Sequence, residues 1–293
     1  MIQSFLNYLQ FEKRVSLNTL VAYQSDLLQF SDFLLKTYPD DSIAEAPYQI
    51  VRSWIIELVE HDVDPRSVNR KTACLRSFYK FLMKREVIQV DPMMKIIALK
   101  TKKKLPAFVK EGDMVNMLDK VAFDNTLKGC RDKLILELFY ATGIRLSELI
   151  HLKESQLDIQ SRTIKVLGKR NKERVIPFAA SLVSMIEGYQ TIRNKEVVKL
   201  DHGFLFVNNN GKPCYPMMVN RIVKKYLSEN TSSEKRSPHV LRHTYATHLL
   251  NKGAEINAVK ELLGHTSLAA TQVYTHNSME KLKKVFDQAH PKA

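Results

Sequence analysis

A chain of 293 residues, 44% of them hydrophobic, has room for two domains with separate cores and contains no apolar run long enough to cross a bilayer. Its three cysteines, Cys74, Cys130 and Cys214, are odd in number and far apart, which excludes a disulfide framework and a zinc-ligand spacing and suits a reducing cytoplasm. A formal charge of +14 asks for a polyanionic partner, most economically nucleic acid.

The N-terminus, MIQSFLNYLQFEKR, lacks the basic-then-apolar layout of a signal peptide and reads as an amphipathic helix, so a soluble cytoplasmic protein is expected. Residues 1–91 read as a helical domain and are nearly neutral, with 11 Lys and Arg against 12 Asp and Glu. Ser16 predicts the cap of a helix whose apolar stripe is Leu20, Tyr23, Leu27, Phe30 and Leu34. Ser67 predicts the start of another, with Ala73, Leu75, Phe78, Phe81 and Leu82 on or near one side. From Pro65 to Arg85 there is no acid, and Arg70, Lys71 and Arg76 are the expected DNA contacts there. Residues 92–108, beginning PMMKIIALKTKKKLP, read as a basic linker in which Lys102 and Lys103 follow a phosphate backbone.

Residues 109–293 read as a second domain, mainly helical with a small β insert. TLKGCRDKLILELFYATG predicts a buried helix ended by Gly143. RTIKVLG and ERVIPF predict a hairpin across KRNK, with Arg170 and Lys172 in its turn as further DNA contacts. Helices are expected near 179–193, 215–229, 237–252 and 255–263, then a last one in MEKLKKVFDQA.

Taken singly, the chemically able residues are ordinary. Arg145 and Glu148 in GIRLSEL read as a helix ion pair, Lys169 as a turn lysine, His265 as a cap and Tyr274 as an amphipathic core residue. Together with His239 and Arg242 in SPHVLRHTYATHLL they suggest one reaction. Attack on a phosphodiester builds charge on the non-bridging oxygens, and two forked guanidiniums, Arg145 and Arg242, suit it. A tyrosine supplies an oxygen nucleophile, a lysine can protonate the departing oxygen, and histidines can move protons near neutral pH. Exchanging one phosphodiester for another conserves bond energy, so no metal, nucleotide or other cofactor is expected, and no G-x-x-x-x-G-K-[ST] loop occurs.

ATGIRLSELIHL, VLGKRNKERVIP, HVLRHTYATHLL and LLGHTSLAATQVYTH, in that order and with R-x22-H-x8-Y at the end, resemble the boxes of the tyrosine recombinases (phage-integrase family), and within it the Xer-like recombinases. The resemblance covers nearly the whole chain. It implies that Tyr274 attacks, that Arg145, Arg242 and His265 stabilise the phosphorane, that Lys169 is general acid to the 5′-oxygen, and that His239 is an acid/base partner. Glu148 falls where the family has an acidic residue beside these groups. SLNTLVAYQSDLLQFSDFL and SVNRKTACLRSFYKFLMKREVIQVDP resemble the family's helical core-binding domain.

The resemblance further implies double-stranded DNA as substrate, a tetramer on two sites (of this chain alone or with a second recombinase), a DNA translocase as activator, and no membrane. Chromosome dimer resolution is the expected role, and integration of a mobile element is the alternative. The apolar stripe Met279, Leu282, Val285 and Phe286 is expected to dock on a neighbouring subunit. Rival readings are weaker. His239 and His243 have the spacing of zinc ligands but not the H-E-x-x-H pattern, and His243 and His248 read as structural. A DNA-binding module without catalysis explains the charge but not the catalytic set, and a type IB topoisomerase fits the short helical N-terminal part less well.

Overall fold

The computed structural model describes residues 1–101, 107–168, 173–197, 202–264 and 285–291. The chain divides into two compact units, Met1–Lys104 and Leu105–Ala293. The architecture is mainly helical with one small antiparallel sheet, as the sequence predicts.

In the first unit α1 (Ile2–Asn7) runs on through a π turn at Tyr8–Glu12, followed by α2 (Leu17–Thr37), α3 (Tyr48–Glu60) and α4 (Pro65–Lys84). Ser16 caps α2 by accepting from the Thr19 N–H, and Leu27, Phe30 and Leu34 of the expected stripe are buried. Helix α4 starts two residues earlier than Ser67 predicts. Pro65 takes the first helical position, where its missing N–H costs nothing, and Asp64 accepts from the Arg66 N–H at 2.9 Å. Phe5 packs edge-on against Phe78, and Trp54 lies 4.9 Å from Phe30. Part of the stretch expected as a linker belongs to this core: Met93 and Ile96 are buried, and the Asn69 side chain bonds both the N–H and the carbonyl of Leu99.

The second unit has α5 (Glu111–Lys120), α6 (Leu127–Thr142) and α7 (Leu146–Ile150), then strands β1 (Leu157–Asp158), β2 (Thr163–Leu167) and β3 (Glu173–Pro177). Helices α8 (Ser181–Glu196), α9 (Pro216–Asn230), α10 (Pro238–Asn251) and α11 (Ile256–Leu263) follow. Helix α6 is buried on nearly every side and packs against α8 and α10, which explains why its apolar residues do not keep to one face. Strands β2 and β3 form the predicted hairpin, in register from Thr163 opposite Pro177 to Leu167 opposite Glu173. Ile164 and Val166 turn inward from β2, and Arg174 and Ile176 from β3.

Gly143 ends α6 with φ +57°, and a Cβ there would lie 2.5 Å from Cδ1 of Tyr245. Only glycine meets both conditions. Residues 285–289 are helical, and of the stripe expected to dock on a neighbouring subunit Phe286 is buried, with Ala289, in an apolar cluster with Tyr245, Leu249, Leu262 and Leu263 of its own unit, Val285 being partly buried beside it. Met279 and Leu282 of the same stripe lie outside the described residues. Among the described residues no helix is long and apolar enough to cross a membrane.

Candidate active site

Arg145 is the residue before α7, and Glu148 sits in that helix's first turn. One oxygen of Glu148 accepts from the Arg145 backbone N–H at 2.8 Å and the other from its Nη1 at 2.7 Å. The three-residue spacing that reads as a surface ion pair is therefore a cap as well, and the Glu148 side chain is only 2% exposed.

A buried carboxylate needs more than one partly exposed cation, and β3 provides the second. Arg174 forks onto Glu148, with Nη1 donating to Oε1 at 2.6 Å and Nη2 to Oε2 at 2.8 Å. Burial pushes the Glu148 carboxyl up, but the hydrogen bonds and charge of Arg174, then the two hydrogen bonds from Arg145, outweigh it and bring it to about 2. Arg174 is a residue the motifs missed. Its signal in the sequence is a charge in phase with inward-facing Ile176 on a short strand.

Arg242 lies in α10, whose start is marked by Ser237 and Pro238 as predicted, although the Ser237 side chain makes no capping bond. Its Nη1 donates to the Gly143 carbonyl and its Nη2 to that of Leu263. Arg174 Nε donates to the carbonyl of Leu262 at 3.0 Å, and Arg145 Nη2 to that of Gly264 at 2.8 Å. Three successive carbonyls at the end of α11 are thus held by three different arginines. These groups would otherwise lack partners, and they carry the negative end of the helix dipole, so cations suit them.

Among the described residues the charges do not cancel: three guanidiniums face one carboxylate. Burial, then the neighbouring charges of Arg145 and Arg174, push the Arg242 guanidinium down to about 9, against the pull of Glu148. An arginine stays protonated at neutral pH even so, and an added anion relieves the repulsion.

His239 is exposed on α10, three residues before Arg242, and His243 is exposed one turn further on. Burial and then the charges of His239 and Arg242 lower the His243 imidazole. His248 is buried, bonded to the Tyr140 hydroxyl at 2.9 Å and the Val109 carbonyl at 3.0 Å, a structural histidine with both nitrogens occupied. Lys169, His265 and Tyr274 lie outside the described residues, as do Lys102, Lys103, Arg170 and Lys172.

Of the three DNA contacts expected on α4 in the first unit, only Lys71 is buried. Lys71 is 8% exposed and its ammonium bonds Asp26, at 3.1 Å, and Gln29, which argues against a phosphate contact. Arg70 also pairs with Asp26 but stays half-exposed, and Arg76 donates to the Ile96 carbonyl at 2.8 Å. The outward row of α4 runs instead through Arg66, Arg70, Ala73, Ser77, Lys80 and Lys84. Ala73, expected on or near the apolar side, is on this exposed row.

Residues 108–281 match the phage integrase family and residues 2–86 match the phage integrase N-terminal SAM-like domain. The chain is 36% identical to tyrosine recombinase XerC of Chlorobaculum parvum, covering 100% of this chain and 94% of that protein. It is 39% identical to tyrosine recombinase XerC of Staphylococcus saprophyticus, covering 99% and 97%. A structure of the Tn1549 transposon integrase in complex with transposon right end DNA superposes with a TM-score of 0.73 at 20% identity, covering 97% of this chain and 98% of that one. That likeness concerns the fold.

Proposed function

The chain belongs to the phage integrase family and is a tyrosine recombinase, and from that premise we propose that it cleaves and rejoins double-stranded DNA through a 3′-phosphotyrosine at Tyr274. The observation that carries this reading is the buried arginine cluster. Arg145 and Arg242 are anchored by Glu148, Gly143, Leu263 and Gly264, and a phosphate that gains charge in the transition state takes their remaining donors. A fixed guanidinium costs no reorganisation when the phosphorane forms.

In this mechanism the Tyr274 hydroxyl attacks the scissile phosphorus, and the 5′-oxygen leaves with a proton from Lys169. His239 and His265 serve the proton transfers and the phosphorane. The free 5′-hydroxyl of a partner strand then attacks the phosphotyrosine and restores a phosphodiester, so each bond broken is replaced by one of equal energy. No metal or nucleotide enters the scheme.

The curated relatives are XerC recombinases along nearly their full length, which favours chromosome dimer resolution in the cytoplasm over integration of a mobile element. The assembly is a tetramer on two DNA sites. Exchange of chain ends within it requires Phe286 to leave its own unit and enter the equivalent pocket of a neighbour, a heterologous contact that closes by rotation.

The test is recombination of a plasmid carrying two copies of the chromosomal sequence that the purified protein protects from nuclease, in chelator and without nucleotide. Resolution into two circles supports the reading. A protected sequence inside a mobile element favours the alternative role, and protection without recombination, alone and with a second recombinase supplied, contradicts it.

A further inference from the structure

We propose that Arg174 is a positioning residue for the reaction: by forking onto Glu148 it sets the guanidinium of Arg145 against the end of α11. This rests on the reading that Arg145 contacts the scissile phosphate.

Arg174 occupies an inward position of β3, in phase with Ile176, where an apolar residue is the ordinary choice. Its side chain is 4% exposed and its three nitrogens are committed to Glu148 and the Leu262 carbonyl, so it is not itself a DNA contact. Desolvating a guanidinium costs far more than a buried aliphatic residue gains. Packing alone therefore does not account for Arg174, whereas control of Glu148 does.

Glu148 accepts four hydrogen bonds, two from Arg174 and two from Arg145. Remove Arg174 and the carboxyl remains buried with one partly exposed partner. Burial then prevails and the group takes up a proton more readily. A protonated Glu148 loses the charge that draws Arg145 Nη1, and only the Gly264 carbonyl still holds that guanidinium. Among the described residues, the charged and titratable groups around Glu148 are Arg145 at the start of α7, Arg174 on β3, Arg242 on α10 and His151 at the end of α7, which shares a cavity wall with it.

Helix α11 is shaped to this arginine. Gly264 has φ +62°, and a Cβ there would lie 2.9 Å from Cδ of Arg174. The missing side chain leaves the path along which Arg174 reaches Glu148. One residue thus joins β3, α7 and the end of α11, the peptide that leads into residue 265.

The experiment uses the full chain and a nicked suicide duplex containing the protected sequence, with single-turnover cleavage followed from about pH 5 to about pH 9. Wild type, Arg174→Met, Arg174→Lys, Glu148→Gln and the Arg174→Met, Glu148→Gln double variant are compared. Arg174→Met should cleave about 10–100-fold more slowly, the range for partners that act through another group. Its rate relative to wild type should fall further as pH drops, while the double variant relative to Glu148→Gln stays level across pH. Arg174→Lys, which keeps the charge but not the fork, should recover part of the rate and lose most of the extra acid sensitivity.

A folded Arg174→Met that matches wild type in rate and profile overturns the proposal, as does acid sensitivity that persists in the double variant. Should Arg174→Met not fold, Arg174→Lys decides: a wild-type rate and profile counts against the proposal, and a slower, acid-sensitive rate supports it. Arg145→Ala separates the two levels. If it cleaves normally, the active-site reading fails; if it is dead while the Arg174 variants behave as wild type, only the positioning role fails.

Discussion

Arg145 donates to the carbonyl of Gly264 at 2.8 Å, linking the start of α7 to the last peptide of α11. Its other bond goes to Glu148, so the guanidinium is fixed from two directions before any DNA arrives. Arg242 is fixed in the same way, between Gly143 and Leu263. The proposed chemistry depends on this fixed pair.

Arg145→Ala and Arg242→Ala should therefore bind DNA nearly as well as wild type and cleave it roughly a hundredfold more slowly or worse, since affinity sums many phosphate contacts and these two act on one. Gel-shift and suicide-substrate assays on the same samples check this. Arg242→Ala should also be the less stable variant, because it leaves two buried carbonyls without a donor at about 1–3 kcal/mol each. Normal cleavage by either variant removes that arginine from the site.

The charge on Glu148 should appear in acid stability. Its carboxyl, held near 2 against an ordinary 4.5, is ionised in the fold wherever it is ionised in the unfolded chain. A depressed folded value stabilises fully above the unfolded one and is lost as pH falls through the folded one. The stability advantage of wild type over Glu148→Gln should be level from neutral pH to about 4.5, then shrink towards about 2, by a few kcal/mol in all. Thermal unfolding across pH measures it. Shrinkage that is complete above 4.5 would show a carboxylate that is not held by its arginines.

Gly143→Ala should lower stability by about 3 kcal/mol, combining the left-handed backbone with a side chain forced against the Tyr245 ring. Unfolding in denaturant reads the change. A cost under about 1 kcal/mol would mean that the turn relaxes freely and that Tyr245 does not fix it.

On α4 the outward row and the buried lysine should separate cleanly. Lys80→Ala with Lys84→Ala should reduce the salt dependence of DNA binding by about two phosphate contacts. Lys71→Met, which leaves Asp26 its partner Arg70, should leave that dependence unchanged. A reduced slope in the second variant would return Lys71 to the DNA surface.

Much of this was legible because its signals are local. Gly143 closing α6, the β2–β3 hairpin and the pairing of Arg145 with Glu148 each depend on a few adjacent residues. Charges at apolar phases were harder to read. Lys71 is in phase with Leu75, Phe78 and Leu82, and Asp26 with Phe30 and Phe33, so a helical wheel places both inside; a count of basic residues hides this. Arg174 poses the same problem at a period of two. That three arginines meet at one helix end is a tertiary fact, joining segments up to 119 residues apart, and no local pattern records it. The burial of Phe286 among residues of α10 and α11 is likewise a tertiary fact.

In the proposed mechanism Tyr274 forms the covalent bond to DNA, and trapping that bond on a suicide duplex tests it most directly. In chelator and without nucleotide, wild type should yield a protein–DNA adduct whose nuclease-trimmed peptide carries a 3′-linked nucleotide on Tyr274 by mass spectrometry. Tyr274→Phe should bind the same duplex and give no adduct. An adduct formed by Tyr274→Phe, or one on wild type that maps to another residue, would contradict the account.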